Sequence, residues 1–202
     1  MVDHDQESVR SFKIILAGHG YTGKTSLVRQ YTDGRFNETY VATLGSDFIV
    51  KRIQHAKRTV DLNLWTLSGQ HCDISTVPSV NFRFADAVVI VFAINDEKSM
   101  LVLDQWRQKA EEIVSTDTIF VLVANKCDMK RMQEKNLEDM AGNFYDHYFQ
   151  TSAKTGEGVG KLFETVTDMI VEKQANRTGK STGFKIRQPS RRRKKSSPGC
   201  SC

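Results

Sequence analysis

Short apolar runs and longer periodic segments follow one another along the chain from residue 12 to about residue 174. A short apolar run is typical of a buried strand, whereas apolar residues that recur every three or four positions are typical of a helix. The runs predict strands at FKIILAG (12–18), AVVIVFAI (87–94), IFVLVAN (119–125) and HYFQ (147–150). The periodic segments predict helices at 24–34, 97–114, 133–145 and 159–174.

Two further segments alternate between apolar and polar residues, which is the period of a half-buried strand. DFIVKRI (47–53) and TVDLNLW (59–65) lie close together in the chain and predict an antiparallel hairpin. Residues 35–46 have no clear period and predict an irregular connection. The stretch around Pro78 has none either, and we expect a mobile loop with a broken helix there.

The alternation of strands and helices predicts one α/β domain with a largely parallel sheet of about six strands. Two of the strands, 87–94 and 119–125, are apolar on both faces, which requires helices on both sides of the sheet. We place this domain at residues 12–175, after an N-terminal extension of residues 1–11. After Gln174 the hydrophobic period stops and Gly, Ser, Arg and Lys dominate, so residues 176–202 are predicted to be a flexible basic tail.

Composition and charge narrow the class of protein. The chain has 202 residues, with 39% hydrophobic and 26% charged residues, as expected for one globular domain. The net charge of +5 is unevenly distributed along the chain. Residues 176–202 carry nine Lys or Arg and no Asp or Glu, so the residues before them carry 20 basic and 24 acidic side chains. A nucleic-acid-binding face on the domain is therefore not expected. The polar N-terminus does not resemble a secretory signal.

The cysteines indicate a reducing compartment. Cys72 and Cys127 are isolated in the sequence, and Cys200 and Cys202 lie at its end. This spacing fits neither a disulfide framework nor a zinc site.

The segment GHGYTGKT (18–25) lies between a predicted strand and a predicted helix. A glycine-rich turn in that place lets backbone N–H groups converge on an anion, and the helix N-terminus adds its dipole. Lys24 would reach the terminal phosphates of a nucleotide, and the Thr25 hydroxyl would bind a magnesium ion. The segment therefore predicts a polyphosphate site, with a chance glycine turn as the alternative.

Two further motifs follow strands and point to the choice of base. NKCD (125–128) and TSAK (151–154) each come after a predicted strand, at the edge of the sheet where ligands bind. The Asp128 carboxylate offers two adjacent acceptors, and guanine, unlike adenine, presents two adjacent donors. The alternative for NKCD alone is a plain turn, and TSAK makes that alternative less attractive.

These motifs, with Thr43 and SGQ (68–70), resemble those of the Ras-like small GTPases over residues 12 to about 174. The resemblance implies the P-loop three-layer α/β/α sandwich of a G domain, which binds GTP and GDP with Mg²⁺. The residues that it assigns to nucleotide binding are Gly18, Gly20, Tyr21, Thr22, Gly23, Lys24, Thr25, Ser26, Phe36, Tyr40, Thr43, Gly69, Asn125, Lys126, Asp128, Ser152, Ala153 and Lys154.

The resemblance also implies individual roles. Phe36 packs against guanine and Tyr40 lies near the ribose, while Thr43 joins Thr25 on the metal. Gly69 donates its N–H to the terminal phosphate, and Gln70 orients the attacking water as the catalytic residue. Asn125 and Lys126 brace the base loop, and the Ala153 N–H and Lys154 cover the base.

Within this class the chain is similar to the Rab family. YVATLGSDF (40–48), LNLW (62–65) and the terminal CSC carry this similarity. It implies that Phe48 and Trp65 are exposed aromatics which effector proteins contact. Ordinary packing within the sheet is the alternative for Trp65.

The second switch departs from the family pattern. Where the family has Asp-Thr-Ala-Gly-Gln-Glu, this chain has Thr66-Leu67-Ser68-Gly69-Gln70-His71. The missing aspartate helps the family to hold magnesium, so we expect weaker metal binding and slow turnover. Gly20 leaves room for an arginine from an activating protein, whereas His19 and Tyr21 add unusual bulk to the loop.

The tail predicts membrane attachment. RRRKK (191–195) could contribute on the order of 5 kcal/mol near an anionic bilayer, at about 1 kcal/mol for each residue. Cys200 and Cys202 resemble the Rab signal for geranylgeranyl groups, which a prenyl-binding escort protein would carry. The alternatives are a nuclear localisation signal and unmodified reactive thiols.

The leading hypothesis is a Rab-like switch on the cytoplasmic face of an intracellular membrane, with a cytosolic pool. Its partners would be effector, exchange and activating proteins that act in vesicle traffic. Two rival functions remain open. One is a pseudo-GTPase adaptor that binds nucleotide without cycling, and the other is a P-loop kinase or ATPase, against which NKCD and SAK speak.

Overall fold

The computed structural model describes residues 9–39, 41–56, 58–69, 74–130 and 145–181. The strands in these residues are β1 Arg10–Ala17, β2 Ser46–His55, β3 Arg58–Leu67, β4 Ala87–Ala93, β5 Ile119–Asn125 and β6 His147–Gln150. The helices are α1 Lys24–Asp33, α2 Glu97–Leu101, α3 Leu103–Glu111 and α4 Val159–Ser181. Two short 3₁₀ turns, Ile74–Thr76 and Ser79–Asn81, lie on either side of Pro78, where the sequence predicts a broken helix.

The strands form one sheet in the order β2-β3-β1-β4-β5-β6. All neighbours are parallel except β2 and β3, which form the predicted antiparallel hairpin with Phe48 opposite Trp65. The five parallel strands therefore end at one edge, here called the carboxyl edge, and begin at the opposite edge, here called the amino edge. The predicted α/β fold with a mostly parallel six-stranded sheet is confirmed.

Each face of the sheet has its own hydrophobic core. Phe12, Ile14 and Leu16 of β1 belong to the core beneath α1 and α4, whereas Ile15 and Ala17 belong to the core beneath α3. Every residue of β4 and β5 is buried, in agreement with the apolar runs. Helix α3 also buries Leu103, Trp106 and Ala110 in the second of these cores.

The single helix predicted at 97–114 is wrong, because the chain breaks at Val102 into α2 and α3. The Ser99 hydroxyl donates to the Asp96 carbonyl at 2.7 Å and accepts from the Ala93 N–H at 3.0 Å, so α2 is fixed to the end of β4. Leu103 and Trp106 must at the same time reach the core. The break at Val102 lets Ser99 keep its bonds at the end of β4 while Leu103 and Trp106 lie in the core.

The last helix is longer than the sequence pattern indicates. Its backbone continues to Ser181, although the apolar period ends at Gln174. Starting a helix is the unfavourable step, and the part of α4 that packs on the sheet provides that start. Each later residue then extends the helix at little further cost in free energy. Arg177 also pairs with Asp117, through its Nε at 2.9 Å from Oδ2.

Some predicted elements cannot be compared with the structure. The helix predicted at 133–145 lies almost wholly outside the described residues, as does the tail after residue 181. The domain bounds of 12 and 175 stay predictions, although β1 begins at Arg10, where its pairing with β3 begins. In the part of the chain that is described, no helix has the length and apolar character to cross a bilayer.

Candidate functional site

A cleft of about 330 Å³ opens at the carboxyl edge of the sheet. Its walls are the segments that follow β1, β3, β5 and β6, together with the connection between α1 and β2. Predicted site residues that line it are Gly20, Tyr21, Gly23, Lys24, Thr25, Ser26, Phe36, Thr43, Gly69, Asn125, Lys126, Asp128, Ala153 and Lys154. Motifs far apart in the sequence therefore share one cavity, because parallel strands bring their ends together.

The glycine-rich loop presents the start of α1 to this cleft. Gly23 is the N-cap residue, in a left-handed conformation with φ of 89°, and no side chain caps the helix. The first N–H groups of the helix thus remain available to an anion. A Cβ at Gly23 would lie 2.4 Å from Asn125 Nδ2, so only glycine lets the base motif approach the loop so closely.

Lys24 is held in the floor of the cleft. Its side chain is buried, and its Nζ donates to the carbonyls of Gly18 and His19 at 2.9 and 2.8 Å. Burial lowers the pKa of this ammonium to about 7. A phosphate group beside it would favour the charged form and so reverse this shift.

Asn125 connects three loops of the site. Its Nδ2 donates to the Thr22 carbonyl at 2.7 Å. Its Oδ1 accepts from the Thr151 hydroxyl and the Ala153 N–H, both at 3.2 Å. Because Asn125 is buried, this network fixes the GHGYTGKT loop relative to the NKCD and TSAK loops.

The Asp128 carboxylate is oriented from behind the cleft. The Ser152 hydroxyl donates to its Oδ1 at 2.6 Å, and the carboxylate keeps further acceptor positions towards the cleft. Ser152 itself does not line the cavity, nor do Gly18 and Thr22, whose carbonyls bond to Lys24 and Asn125. These three predicted site residues lie behind the cleft wall and hold residues that line it in position through hydrogen bonds.

Three threonine hydroxyls meet at one point, and two of them belong to the residues that the sequence predicts to bind a metal, Thr25 and Thr43. Thr25 Oγ1 lies 2.8 Å from Thr43 Oγ1 and 3.3 Å from Thr66 Oγ1. Adjacent ligands of an octahedral Mg²⁺ lie about 3 Å apart when each bond is about 2.1 Å, so Thr25 and Thr43 fit such an ion. Thr66 contributes a neutral oxygen to this cluster. Among the described residues no group of three or more His, Cys, Asp or Glu side chains is arranged to bind a metal.

Gly69 lies against His19 and Gly20 of the GHGYTGKT loop. A Cβ at this position would be 2.4 Å from the Gly20 backbone nitrogen, so the close approach requires glycine. Its neighbours Gln70 and His71 fall outside the described residues, as does Tyr40. The roles predicted for Gln70 and Tyr40 therefore stay predictions.

The loop also carries two unusual side chains. Tyr21 has a φ of 62°, which is uncommon for a residue other than glycine, and its side chain is 58% exposed at the mouth of the cleft. His19 Nδ1 lies 3.9 Å from an Asp96 carboxylate oxygen. Tyr21 thus lines the cleft with a side chain that stays largely exposed to solvent.

Sequence reasoning missed several residues of the cleft wall. Arg29 and Arg35 line it, and Glu38 forms an ion pair with Lys154 at 3.0 Å. This pair joins the connection after α1 to the TSAK loop across the cavity. No local sequence motif predicts a contact of this kind. The positive charges of Arg29 and Arg35 are consistent with a polyanionic ligand.

Phe48 and Trp65 form one aromatic pair on the hairpin. Their ring centroids are 4.6 Å apart, and Phe48 is 45% exposed. Trp65 is partly buried and belongs to the margin of the core beneath α3. Both interpretations of Trp65 therefore hold in part, because it packs within the sheet and still borders an exposed surface.

Comparison with known proteins agrees with this geometry. The Ras family profile matches residues 13–172. The Ras-related protein Rab-13 of Rattus norvegicus is 30% identical over 175 residues, which cover 85% of this chain and 86% of that protein. Rab-30 of Homo sapiens is 32% identical over 83% of each chain, and Rab-10 of Caenorhabditis elegans is 28% identical over 94% of this chain and 95% of its own length. The chain therefore belongs to the Ras family of small GTPases, the GTP hydrolases, and within it to the Rab family.

Proposed function

We propose that this GTPase is a membrane-tethered switch that binds GTP and GDP and recruits effector proteins in vesicle traffic. The observation that supports the proposal is the Asn125 network, which joins the GHGYTGKT loop to the TSAK loop at the cleft that Asp128 also lines. Five cationic side chains and two carboxylates line that cleft, a balance that favours a nucleoside polyphosphate. The cationic residues are Lys24, Arg29, Arg35, Lys126 and Lys154.

The binding step would use the main chain and few side chains. Backbone N–H groups at the start of α1 and the Lys24 ammonium would hold the phosphates. Asp128 would accept both hydrogen bonds from guanine, with Ser152 keeping the carboxylate in position. Phe36, which lines the cleft, would cover the base.

Family members use Mg²⁺, and we propose that Thr25 and Thr43 hold it in this chain. A magnesium ion held there would supply positive charge that stabilises the negative charge developing on the transferred phosphoryl group. Thr66 offers this site a hydroxyl in place of a carboxylate, so the metal would be held less tightly. Gln70 would orient the attacking water, and hydrolysis without an activating protein would be slow.

Switching would depend on Thr43. Its hydroxyl bonds to that of Thr25 beside the proposed phosphate site. Loss of the terminal phosphate would weaken the contacts of Thr43 there and so release the segment before β2. Phe48 lies in the strand that follows this segment and is partly exposed. Effector, exchange and activating proteins would contact this surface.

Attachment to membranes would depend on the tail. Cys200 and Cys202 would carry geranylgeranyl groups, delivered by an escort protein, and RRRKK would strengthen contact with an anionic leaflet. The protein would then lie on the cytoplasmic face of an intracellular membrane, with a cytosolic pool. Mass spectrometry of protein from its native cells would show whether one, both or neither cysteine is modified.

Replacing Gln70 by leucine tests catalysis against the pseudo-GTPase alternative, which the neutral Thr66 favours. We expect single-turnover GTP hydrolysis to fall by about tenfold or more, the equivalent of at least about 1.4 kcal/mol of lost transition-state stabilisation. Gln108→Leu, on an exposed position of α3, is the matched control and should hydrolyse GTP at the wild-type rate. Equal rates for wild type and Gln70→Leu would support the non-cycling adaptor.

A further inference from the structure

Phe84 combines two unusual properties. Its side chain is 91% exposed, and its backbone is left-handed with a φ of 59°. Such a conformation costs about 1–2 kcal/mol for a residue with a Cβ. Because the ring is exposed, packing in the core does not offset this free-energy cost. A strained and exposed side chain of this kind suggests a function in binding and not in folding.

The backbone around Phe84 is firmly anchored. Phe82 and Ala85 are buried, and the Ala85 carbonyl accepts from the Thr118 hydroxyl at 2.9 Å. Lys13 Nζ donates to the Arg83 carbonyl at 2.8 Å. The ring is therefore presented to solvent by a fixed loop.

This loop lies at the amino edge of the sheet, beside the end of α4. Asp86, the last residue before β4, accepts a hydrogen bond at 3.4 Å from Gln174 of α4. One turn later Arg177 bonds to Asp117, which lies just before β5. The tail that carries RRRKK and the two terminal cysteines thus continues from a helix whose last described contacts are at the same edge as Phe84.

The charges near this loop favour an anionic surface. Arg83 is exposed next to Phe84, and Arg10 is exposed at the start of β1 on the same edge. Asp86 accepts from the Lys13 N–H at 2.8 Å, and burial raises the pKa of its carboxyl. Asp117 is paired with Arg177. Within the residues that the structure describes, Asp86 and Asp117 are thus engaged in the protein, while Arg83 and Arg10 are exposed.

We propose that Phe84 and Arg83 form a membrane-contact loop that binds the surface of an anionic bilayer. The ring would enter the boundary between headgroups and acyl chains, where surface-bound segments bury Trp, Phe and Leu side chains, and Arg83 would lie among the headgroups. This contact rests on the tethering proposed above for the tail, and it would orient the domain with the nucleotide cleft, at the carboxyl edge, away from the lipid.

The first test uses the full-length chain, without lipid groups, and vesicles of phosphatidylcholine with phosphatidylserine. We expect Phe84→Gly to bind these vesicles about tenfold more weakly than wild type, because an aromatic side chain no longer leaves water. Glycine adopts a φ of 59° without strain, so the variant should fold. Leu101→Ser, which removes an apolar side chain that is 70% exposed at the end of α2, is the matched control and should bind like wild type.

The second test follows the ring itself. Phe84→Trp should show a blue shift of fluorescence with the anionic vesicles that wild type, which has only Trp65 and Trp106, does not show, and no shift with vesicles of phosphatidylcholine alone. Equal vesicle binding by wild type and Phe84→Gly, or an unshifted spectrum for Phe84→Trp, would overturn the proposal. Neither readout depends on nucleotide or prenylation, so a failure of the GTP-switch proposal would be seen separately.

Discussion

Replacing Asp128 by asparagine should lower the affinity for GDP and GTP by about 10⁴-fold, because a site built to pair a ligand's polar groups rejects one that leaves them unpaired. In the wild type, Ser152 holds the carboxylate at 2.6 Å and leaves acceptor positions for the two donors of guanine. An asparagine amide presents one donor and one acceptor in their place. Xanthine has a carbonyl where guanine has its amino group, so the variant should prefer xanthosine diphosphate.

Competition between GDP and xanthosine diphosphate for the purified protein measures this change. Asp104→Asn, which removes a charge from an exposed position of α3, is the matched control and should leave the preference for GDP intact. If Asp128→Asn binds GDP as tightly as wild type and gains nothing for xanthosine diphosphate, Asp128 does not read the base.

Replacing Thr66 by aspartate should make nucleotide release strongly dependent on magnesium. Thr66 Oγ1 lies 3.3 Å from Thr25 Oγ1, so a carboxylate there would stand beside the proposed ion. At an effective dielectric constant of about 20, a carboxylate about 4 Å from a divalent ion is attracted by about 8 kcal/mol, twice the value for unit charges, and the cost of desolvating the carboxylate offsets much of this gain. We therefore expect chelation to accelerate GDP release in the variant by about tenfold to a hundredfold more than in wild type.

Release of a fluorescent GDP analogue, with and without a chelator, gives this ratio for each protein. Thr66→Val separates charge from hydrogen bonding, because it keeps the shape of threonine and removes the hydroxyl that Thr25 contacts. It should behave like wild type towards the chelator. Wild-type release that already accelerates as strongly as that of Thr66→Asp would show that a neutral oxygen suffices for the metal.

Much of the fold could be predicted from local pattern. The runs in β4 and β5 contain only buried positions, so their sequence alone reports strands covered on both faces. The positions of the GHGYTGKT, NKCD and TSAK loops at one edge of the sheet could be predicted as well, because each loop follows a strand and carries its motif in consecutive residues.

Features that depend on contacts between distant segments could not be predicted. The break at Val102 reflects the fixing of Ser99 to the end of β4, and the ion pair of Glu38 with Lys154 joins segments more than a hundred residues apart. Phe84 appears in the sequence as one more apolar residue before a buried strand. Its exposure becomes visible only when the backbone turns left-handed between the buried Phe82 and Ala85.

The nucleotide content of the purified protein tests the assignment of the cleft most directly. Protein prepared in magnesium without added nucleotide is denatured, and the released nucleotide is identified by chromatography. We predict GDP or GTP in stoichiometric amount. Adenine nucleotide, or no nucleotide at all, would contradict a guanine site formed by the loop at Gly23 and the carboxylate of Asp128.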